Sequence, residues 1–354
     1  MSANKKIYLA IPPGESLSDI LKTTEMSQVE LAKRTGLSEK HISQIINGEA
    51  PITPKTAIKF ERVFGGSASF WNNLEKNYQE SLAKIEAEKI INEEIGLLKN
   101  YTCYNELVKY NFIEPAESKI EKVNNLLKFF KVDSLSLITD NYAIAYRGLN
   151  KKIKKESLMV WLRCGEIKTE SYSFKNFNKT ALLKNIPKLK ELTKHRGDFG
   201  DDLKKICTEC GIAICFTPYF KNTYINGATR WFKNNPLIQL NTKGAFSDIF
   251  WFSFFHELGH ILLHGKRDKF LSFSKEQSCK IKEKEADAFA INTLINDVDA
   301  YKKLSNQKPV KKTEIIELAT TENIDKGIII GRLAKEGKIS WQIAHKYRRR
   351  LIIA

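Results

Sequence analysis

The chain has 354 residues, which is enough for two or three domains that each bury a core of their own. Its apolar runs all break short of the roughly 18 residues that a membrane span needs. The apolar stretch before Pro12 is too brief for a secretory signal peptide. We therefore expect a soluble, cytoplasmic protein that makes no membrane contact.

A net charge of +17 is typical of proteins that bind nucleic acid or a membrane surface. Residues 1–66, however, hold nine Lys and Arg against seven Asp and Glu, so most of the excess lies further along the chain. We interpret most of it as a solvated basic surface. The one dense basic cluster is near the C-terminus and consists of Lys346, Arg348, Arg349 and Arg350.

The first predicted elements are two short helices joined by a tight turn. Ser27 and Glu30 form a start that resembles a capping box, and this helix ends at Gly36. Ser38 is suited to cap a second short helix that runs to Asn47. This order predicts a helix-turn-helix, whose second helix enters the major groove of DNA. The apolar residues expected to pack the two helices together are Leu31, Ala32, Leu37, Ile42, Ile45 and Ile46.

The outward positions of the second helix carry side chains that suit base edges. Lys40 suits guanine, Gln44 suits adenine and Glu39 suits cytosine. A small helical bundle used for dimerisation or protein docking stays open as an alternative, because the pattern alone does not show groove contact. The predicted DNA-binding residues are Gln28, Ser38, Glu39, Lys40, His41, Ser43, Gln44 and Asn47.

Several short motifs lie in this region: Pro-Pro-Gly-Glu at 12–15, Ser-Gln-x-Glu-Leu-Ala at 27–32, Ile-x-x-Ile-x-Asn-Gly at 42–48, and Phe-Trp-x-x-Leu at 70–74. With them, residues 10–80 resemble the Cro/repressor-type (XRE) domain of HigA-like antitoxins. The resemblance implies an all-α helix-turn-helix domain over residues 1–80. It also implies that this domain binds operator DNA as a homodimer.

The middle of the chain carries weaker signals. Residues 81–96 continue a highly charged helical pattern and are predicted to form a linker helix. Residues 97–200 are predicted to be a mixed, mainly helical connector, although Trp161, Arg163 and Glu166 could also line a ligand site. Further along, the three closely spaced thiols lack a fourth ligand for a structural zinc site, so we expect buried free cysteines at Cys207, Cys210 and Cys215.

Residues 201–354 are predicted to form a domain of helices and strands. A helix at 201–209 precedes strands at 212–216, 227–231 and 236–240. A strongly apolar helix follows, which Ser247 or Asp248 is expected to cap and Gly265 to end.

That apolar helix contains His256-Glu257-Leu258-Gly259-His260. Two histidines four residues apart on a helix can reach one metal ion, and the glutamate can take a proton from a water there. The alternative, exposed histidines beside an ion-paired Glu257, fits poorly, because a helix that is apolar all round is buried. The motif therefore predicts a zinc site with His256 and His260 as ligands and Glu257 as the general base.

Zinc needs a third protein ligand and an open position. Glu283 can ligate while Asp287, one turn later, accepts a ring N–H from a ligating histidine. Glu285 and His264 remain alternative ligands, although about 12 Å of helix rise separates His264 from His256. Arg230, Tyr224 and His264 are candidates for stabilising charge on a substrate carbonyl.

With the Glu-x-x-Ala-Asp element at 283–287, residues 205–297 resemble the ImmA/IrrE metallopeptidases, and that element is shared with other gluzincins. The resemblance implies an α+β zincin-like domain with one Zn²⁺ per chain, held by His256, His260 and Glu283. Asp287 and His264 are then expected to support those ligands. Such enzymes cleave regulatory proteins such as repressors.

Together these patterns predict a multidomain protein, a transcriptional regulator that is also a zinc metalloendopeptidase. The alternative is a non-catalytic, antitoxin-like repressor whose metallopeptidase-like domain senses metal, a ligand or a partner toxin. Glu257 separates the two hypotheses, because a sensor does not need a general base.

Overall fold

The computed structural model describes residues 9–138, 153–172, 175–232, 234–242, 246–264 and 277–351, with only the backbone described at 277–279. The chain forms two compact units, residues 1–96 and residues 97–354. Within the described ranges, every helix is too short or too polar to cross a membrane.

The N-terminal unit is all helical. Its helices are α1 (Pro13–Thr23), α2 (Gln28–Thr35), α3 (Glu39–Ile46), α4 (Pro54–Phe64) and α5 (Ala68–Glu94).

The start signals of α2 and α3 work as the sequence predicts. The Ser27 hydroxyl accepts from the Glu30 N–H at 3.1 Å, and the Ser38 hydroxyl accepts from the His41 N–H at 3.1 Å. Gly36 ends α2 with φ of +65°, the left-handed conformation that glycine adopts without strain. The helix-turn-helix geometry is therefore encoded by local contacts. Its core contains Leu17, Leu31, Ile42, Ile45, Phe60 and Trp71, all buried.

The C-terminal unit combines many helices with a small sheet. Its early helices are α6 (Tyr104–Lys109), α7 (Lys119–Phe130), α8 (Lys155–Thr169), α9 (Lys179–Leu192) and α10 (Gly200–Glu209), with a 3₁₀ turn at Leu135–Leu137. A further 3₁₀ turn, Ile95–Asn100, begins in the N-terminal unit and ends in this one. The strands are β1 (Ala213–Thr217), β2 (Gly227–Phe232) and β3 (Asn235–Asn241). The later helices are α11 (Ser247–Leu263), α12 (Gln277–Leu294), α13 (Val298–Ser305), α14 (Lys312–Thr321), α15 (Lys326–Lys335) and α16 (Trp341–Tyr347).

The sheet has the strand order β1-β3-β2, in which β3 runs parallel to β1 and antiparallel to β2. Helices cover both faces. Alternate residues such as Ile214 and Ile238 join the core formed with α11, while Gln239 points to α8 and donates to the Trp161 carbonyl at 2.5 Å. Gly165 of α8 lies so close to Gln239 that a Cβ there would be 2.1 Å from its amide oxygen.

The mainly helical segment at 97–200 therefore packs on the sheet, within the same compact unit as residues 201–351. Trp161 is fully buried. Arg163 pairs with Glu166 at 2.8 Å and with Glu170 at 3.2 Å, and it donates to the Phe129 carbonyl. These contacts make Trp161, Arg163 and Glu166 part of the packed interior rather than a ligand site.

The three closely spaced cysteines, Cys207, Cys210 and Cys215, are buried and free, which confirms the expectation for them. Burial raises the pKa of Cys215 to about 12, so its thiol stays protonated at neutral pH. The predicted combination of an all-α head with an α+β domain is also confirmed.

Candidate metal centre

The helix α11, which carries the histidine motif, is held at its start by the C-terminal end of the chain. The expectation that Ser247 or Asp248 caps it is wrong: Phe246 is the N-cap residue, and it makes no side-chain cap. Instead the Ser247 N–H donates to the Arg349 carbonyl at 2.8 Å. Asp248 is bound by Arg348 through two nitrogens, each at 2.9 Å. Gly265, expected to end the helix, lies outside the described residues.

The basic cluster at the C-terminus is thus partly structural. Arg348 is buried against Asp248, and its guanidinium lies 4.1 Å from the Phe246 ring. Arg349 donates to the carbonyl groups of Thr193 and His195. These contacts tie the last residues of the chain to the element that presents the histidines.

Close packing of α11 on α12 brings the two halves of the site together. Trp251, Phe254, Phe255 and Leu258 are fully buried in the surrounding core. Gly259 permits the approach, because a Cβ there would lie 3.0 Å from the Ala286 Cα. The acidic face of α12 therefore lies directly opposite His256 and His260.

Three side chains converge on one point. The His256 and His260 Nε2 atoms are 3.0 Å apart, and each lies 3.3 Å from a different Glu283 carboxylate oxygen. A tetrahedral zinc ion with bonds of about 2.0–2.1 Å places neighbouring donors about 3.3 Å apart. Two imidazole nitrogens and one carboxylate at these separations fit such an ion and leave a fourth position open.

In both His256 and His260, the outer ring nitrogen, Nδ1, which faces away from Glu283, has a partner of its own. His256 Nδ1 lies 2.8 Å from Asp287 Oδ1. His260 Nδ1 lies 3.1 Å from His264 Nδ1, and His264 Nε2 lies 3.0 Å from Glu285 Oε2. Such contacts hold the ring orientation and leave both Nε2 atoms facing Glu283. The structure therefore places His264 and Glu285 outside the group of three donors.

The electrostatics of the cluster favour a cation. Burial lowers the pKa of His256, but hydrogen bonds to Asp287 and Glu283 outweigh it and raise the value to about 10. Burial raises the pKa of Glu283, while hydrogen bonds to His256 and His260 lower it to about 2. A proton and a metal ion thus compete for the same ring nitrogen, so metal binding would release a proton.

Glu257 lies beside this group and has a different environment. It is 3% exposed, and its Oε2 has no hydrogen-bond partner in the described part of the chain. Burial raises its pKa, although His256 and His260 oppose the shift. Gly227 of β2 leaves room for it, since a Cβ there would lie 3.0 Å from Glu257 Oε1. A buried carboxylate oxygen without a hydrogen bond is costly for stability, which is typical of a group kept for chemistry.

A cleft of about 620 Å³ opens from the cluster along α11. The sequence did not predict this cleft, although its wall residues recur at helical spacing in both α11 and α15. Arg230 and Tyr224, two candidates for stabilising charge on a substrate carbonyl, are not among the residues that line the cleft. Arg230 is instead bound to Glu166 at 2.7 Å. Its walls include Ile249, Phe252, Ile291, Leu294, Ile295, Ile328, Arg332, Lys335 and Trp341.

In the N-terminal unit, the eight predicted DNA-binding residues lie on the accessible side of α2 and α3. Gln28, Ser38, Glu39, Lys40 and Asn47 are exposed. The remaining three, His41, Ser43 and Gln44, are partly exposed, whereas Ile42 and Ile45 of the same helix are buried in the core. The Ser38 hydroxyl is engaged as the helix cap.

Comparisons with known proteins support both units. Residues 18–71 match the helix-turn-helix family model, and residues 207–334 match that of the IrrE N-terminal-like domain, peptidase M78. The chain is 35% identical over 89 residues to virulence-associated protein I of Dichelobacter nodosus, a match covering 25% of this chain and 82% of that protein. It is 34% identical over 79 residues to the uncharacterized HTH-type transcriptional regulator YddM of Escherichia coli K12, covering 22% and 80%.

Solved structures give similar matches. An addiction module antidote protein of the HigA family from Coxiella burnetii is 32% identical with a TM-score of 0.22, covering 24% of this chain and 94% of that one. The Pseudomonas aeruginosa antitoxin HigA, solved with the higBA promoter, is 31% identical with a TM-score of 0.23, covering 24% and 95%. The family matches confirm both resemblances drawn from the motifs. The chain therefore belongs to the XRE-type helix-turn-helix regulators and carries, on its C-terminal side, a metallopeptidase-like domain of the ImmA/IrrE family.

Proposed function

We propose that this protein is a cytoplasmic, DNA-binding transcriptional regulator whose C-terminal unit is a zinc-dependent endopeptidase. Its substrate is a regulatory protein such as a repressor. The observation that carries the proposal is the convergence of the His256 and His260 Nε2 atoms, 3.0 Å apart, on the Glu283 carboxylate, whose two oxygens each lie 3.3 Å from one of them. The buried carboxylate of Glu257 lies beside this group.

Each side chain of the cluster has a distinct task in this reaction. A bound zinc ion would polarise the scissile carbonyl and make a water molecule more acidic. Glu257 takes a proton from that water and passes it to the leaving amine. Its raised pKa suits a base that must return the proton. Asp287 and His264 hold the outer ring nitrogens, so that His256 and His260 keep their Nε2 atoms on the metal side.

The edge of the sheet supplies a place for the substrate backbone. Asn241 N–H donates to the Asn226 carbonyl at 2.8 Å, which fixes the alternation of hydrogen bonds between β3 and β2. By that alternation, Gly227 and Thr229 direct their peptide groups away from β3. An extended substrate can pair with this edge, immediately beside Glu257.

The helix-turn-helix unit is proposed to bind operator DNA as a homodimer. Glu39, Lys40 and Gln44 lie on its accessible face, where they can read base edges. Residues 1–66 are close to neutral, so binding depends on specific contacts more than on bulk charge.

The second hypothesis, a non-catalytic repressor that senses metal, a ligand or a toxin, leaves Glu257 unexplained. A sensor gains nothing from a buried carboxylate with one unbonded oxygen next to its ligands. We therefore favour the peptidase.

The metal content of the purified full-length chain tests this proposal. Wild type and Glu257→Gln are expected to hold about one zinc per chain, and Glu283→Ala is expected to hold none. His264→Ala should still load at saturating zinc, because this residue is not one of the three donors. A wild-type chain that binds no zinc when zinc is supplied would overturn the peptidase. Where zinc is bound, Glu257→Gln serves as a trap for the substrate protein in a lysate.

A further inference from the structure

The walls of the cleft are apolar near the metal centre. Ile249 and Phe252 of α11 lie one to two turns before His256 and form one side with Ile295, the residue that follows α12. Ile328 of α15 and Trp341, the first residue of α16, form the other. Trp341 is 45% exposed, so a large apolar surface is available to a ligand.

The charged residues of the cleft are nearly all neutralised by partners. Arg332 pairs with Glu336 at 2.9 Å, and Asp248 pairs with Arg348. Glu283 and Asp287 face the histidine rings.

Lys335 is different. It is exposed on the cleft wall and forms no ion pair with any side chain in the described ranges. Its Nζ lies 4.9 Å from the centre of the Phe252 ring, and this cation–π contact holds the ammonium over the apolar wall. Among the described residues that line the cleft, Lys335 is therefore the positive charge that no ion pair neutralises, and it lies at a defined place.

We propose that Lys335 makes the cleft selective for substrate segments in which an acidic side chain accompanies a large apolar one near the scissile bond. This inference rests on the proposed peptidase function and names the class of sequence that its site accepts. The apolar side chain fills the space between Phe252 and Trp341, and the carboxylate pairs with Lys335.

Distances limit where the acidic residue stands. The Phe252 and His256 ring centres are 6.2 Å apart, and Lys335 Nζ is 4.9 Å from the Phe252 ring. The sum of these two distances, about 11 Å, is an upper limit for the separation between Lys335 Nζ and the His256 ring. An extended chain advances about 3.3 Å per residue, so this separation spans about three residues of substrate, and we place the acidic residue at about that distance from the scissile bond.

Peptide binding to the full-length, zinc-loaded chain carrying Glu257→Gln tests the inference without requiring turnover. The probes are fluorescent ten-residue peptides with one Phe in an Ala/Gly background and Glu, Gln or Lys placed one to three positions from it. Binding is measured by anisotropy for chains with Lys335, with Lys335→Ala and with Lys335→Glu. Lys338→Glu is the matched control, because Lys338 is exposed nearby but does not line the cleft.

We expect the Glu peptide to bind about fivefold more tightly than the Gln peptide, the upper range for one exposed ion pair. Lys335→Ala should remove this preference, Lys335→Glu should reverse it toward the Lys peptide, and Lys338→Glu should keep it. The same preference in Lys335→Glu as in the parent chain would overturn the inference. So would a failure of every peptide in the set to bind.

Turnover of the same peptides by the chain that retains Glu257 separates this inference from the proposed function. Charge-selective binding without cleavage would overturn the proposed peptidase function but support the acid-selective cleft. Cleavage that depends on Glu257 but shows no charge preference would support the peptidase and overturn the acid-selective cleft.

Discussion

The two units of this protein encode their candidate sites in different ways. In the N-terminal unit, the residues that shape the recognition helix are close in sequence: Ser27 caps α2, Gly36 ends it, and Ser38 caps α3. In the C-terminal unit, the metal centre joins residues of α11 to residues of α12 that lie 23 to 31 positions later. Its supporting helix is in turn held by Arg348, 100 residues from Asp248. A local change should therefore affect the first site alone, whereas the second site is sensitive to distant changes.

The largest effect expected is on catalysis. Glu257→Gln removes the proposed base while keeping the shape and burial of the side chain, so proteolysis should fall by roughly 10²–10⁴-fold. Zinc content and operator binding should stay unchanged, because Glu257 is neither one of the three donors nor part of the N-terminal unit. Cleavage of a trapped substrate, followed by gel and mass spectrometry, measures this. Undiminished cleavage would exclude Glu257 as the base.

The next prediction tests the long-range dependence of the metal centre. Arg348→Ala leaves the carboxylate of Asp248 buried without its partner, which should destabilise the C-terminal unit by about 3–5 kcal/mol. Denaturant unfolding followed by tryptophan fluorescence reports this, since Trp251 and Trp161 lie in that unit. Arg350→Ala is a suitable control, because Arg350 shows no ion pair in the described structure. An equal loss of stability in both variants would mean that the broken ion pair with Asp248 is not the cause of the destabilisation.

The same contrast explains what could be predicted from the sequence. Capping residues, Gly36 and the spacing of His256 and His260 are local signals, and they correctly placed the helix-turn-helix and the helix of the motif. Glu283 was predicted as the third ligand because a carboxylate with Asp287 one turn later is itself a local pattern, and its carboxylate lies 3.3 Å from both His256 and His260. The anchoring of α11 by Arg348 was missed, because the sequence favoured Ser247 or Asp248 as a cap and no periodicity links positions 100 residues apart. Lys335 was missed for the same reason: its role depends on the packing of α15 against α11.

A smaller effect is expected at His264, which we interpret as a positioning residue. His264→Ala removes the partner of His260 Nδ1, so the ring loses its fixed orientation and zinc affinity should fall about tenfold to 100-fold. Competition with a chromophoric chelator measures the affinity directly. Glu285 contacts His264 but not His260, so Glu285→Gln should lower the zinc affinity less. An unchanged zinc affinity in His264→Ala would show that the contact with His260 does not position the ligand.

The smallest expected effect concerns the N-terminal unit. Ser38→Ala removes the hydroxyl that accepts from His41 N–H at the start of α3, at a cost of about 1 kcal/mol to the N-terminal unit. Because that unit is a compact body of its own, zinc affinity and proteolysis should not change. Ser43→Ala is a useful control, since Ser43 lies on the same helix but does not cap it. Hydrogen exchange of the α3 amides is the measurement, and faster exchange should be confined to residues 39–46 and their packing partners in the N-terminal unit. If exchange also rose in α11 or α12, the metal centre would depend on the helix-turn-helix. The two sites would then be energetically coupled rather than separately encoded.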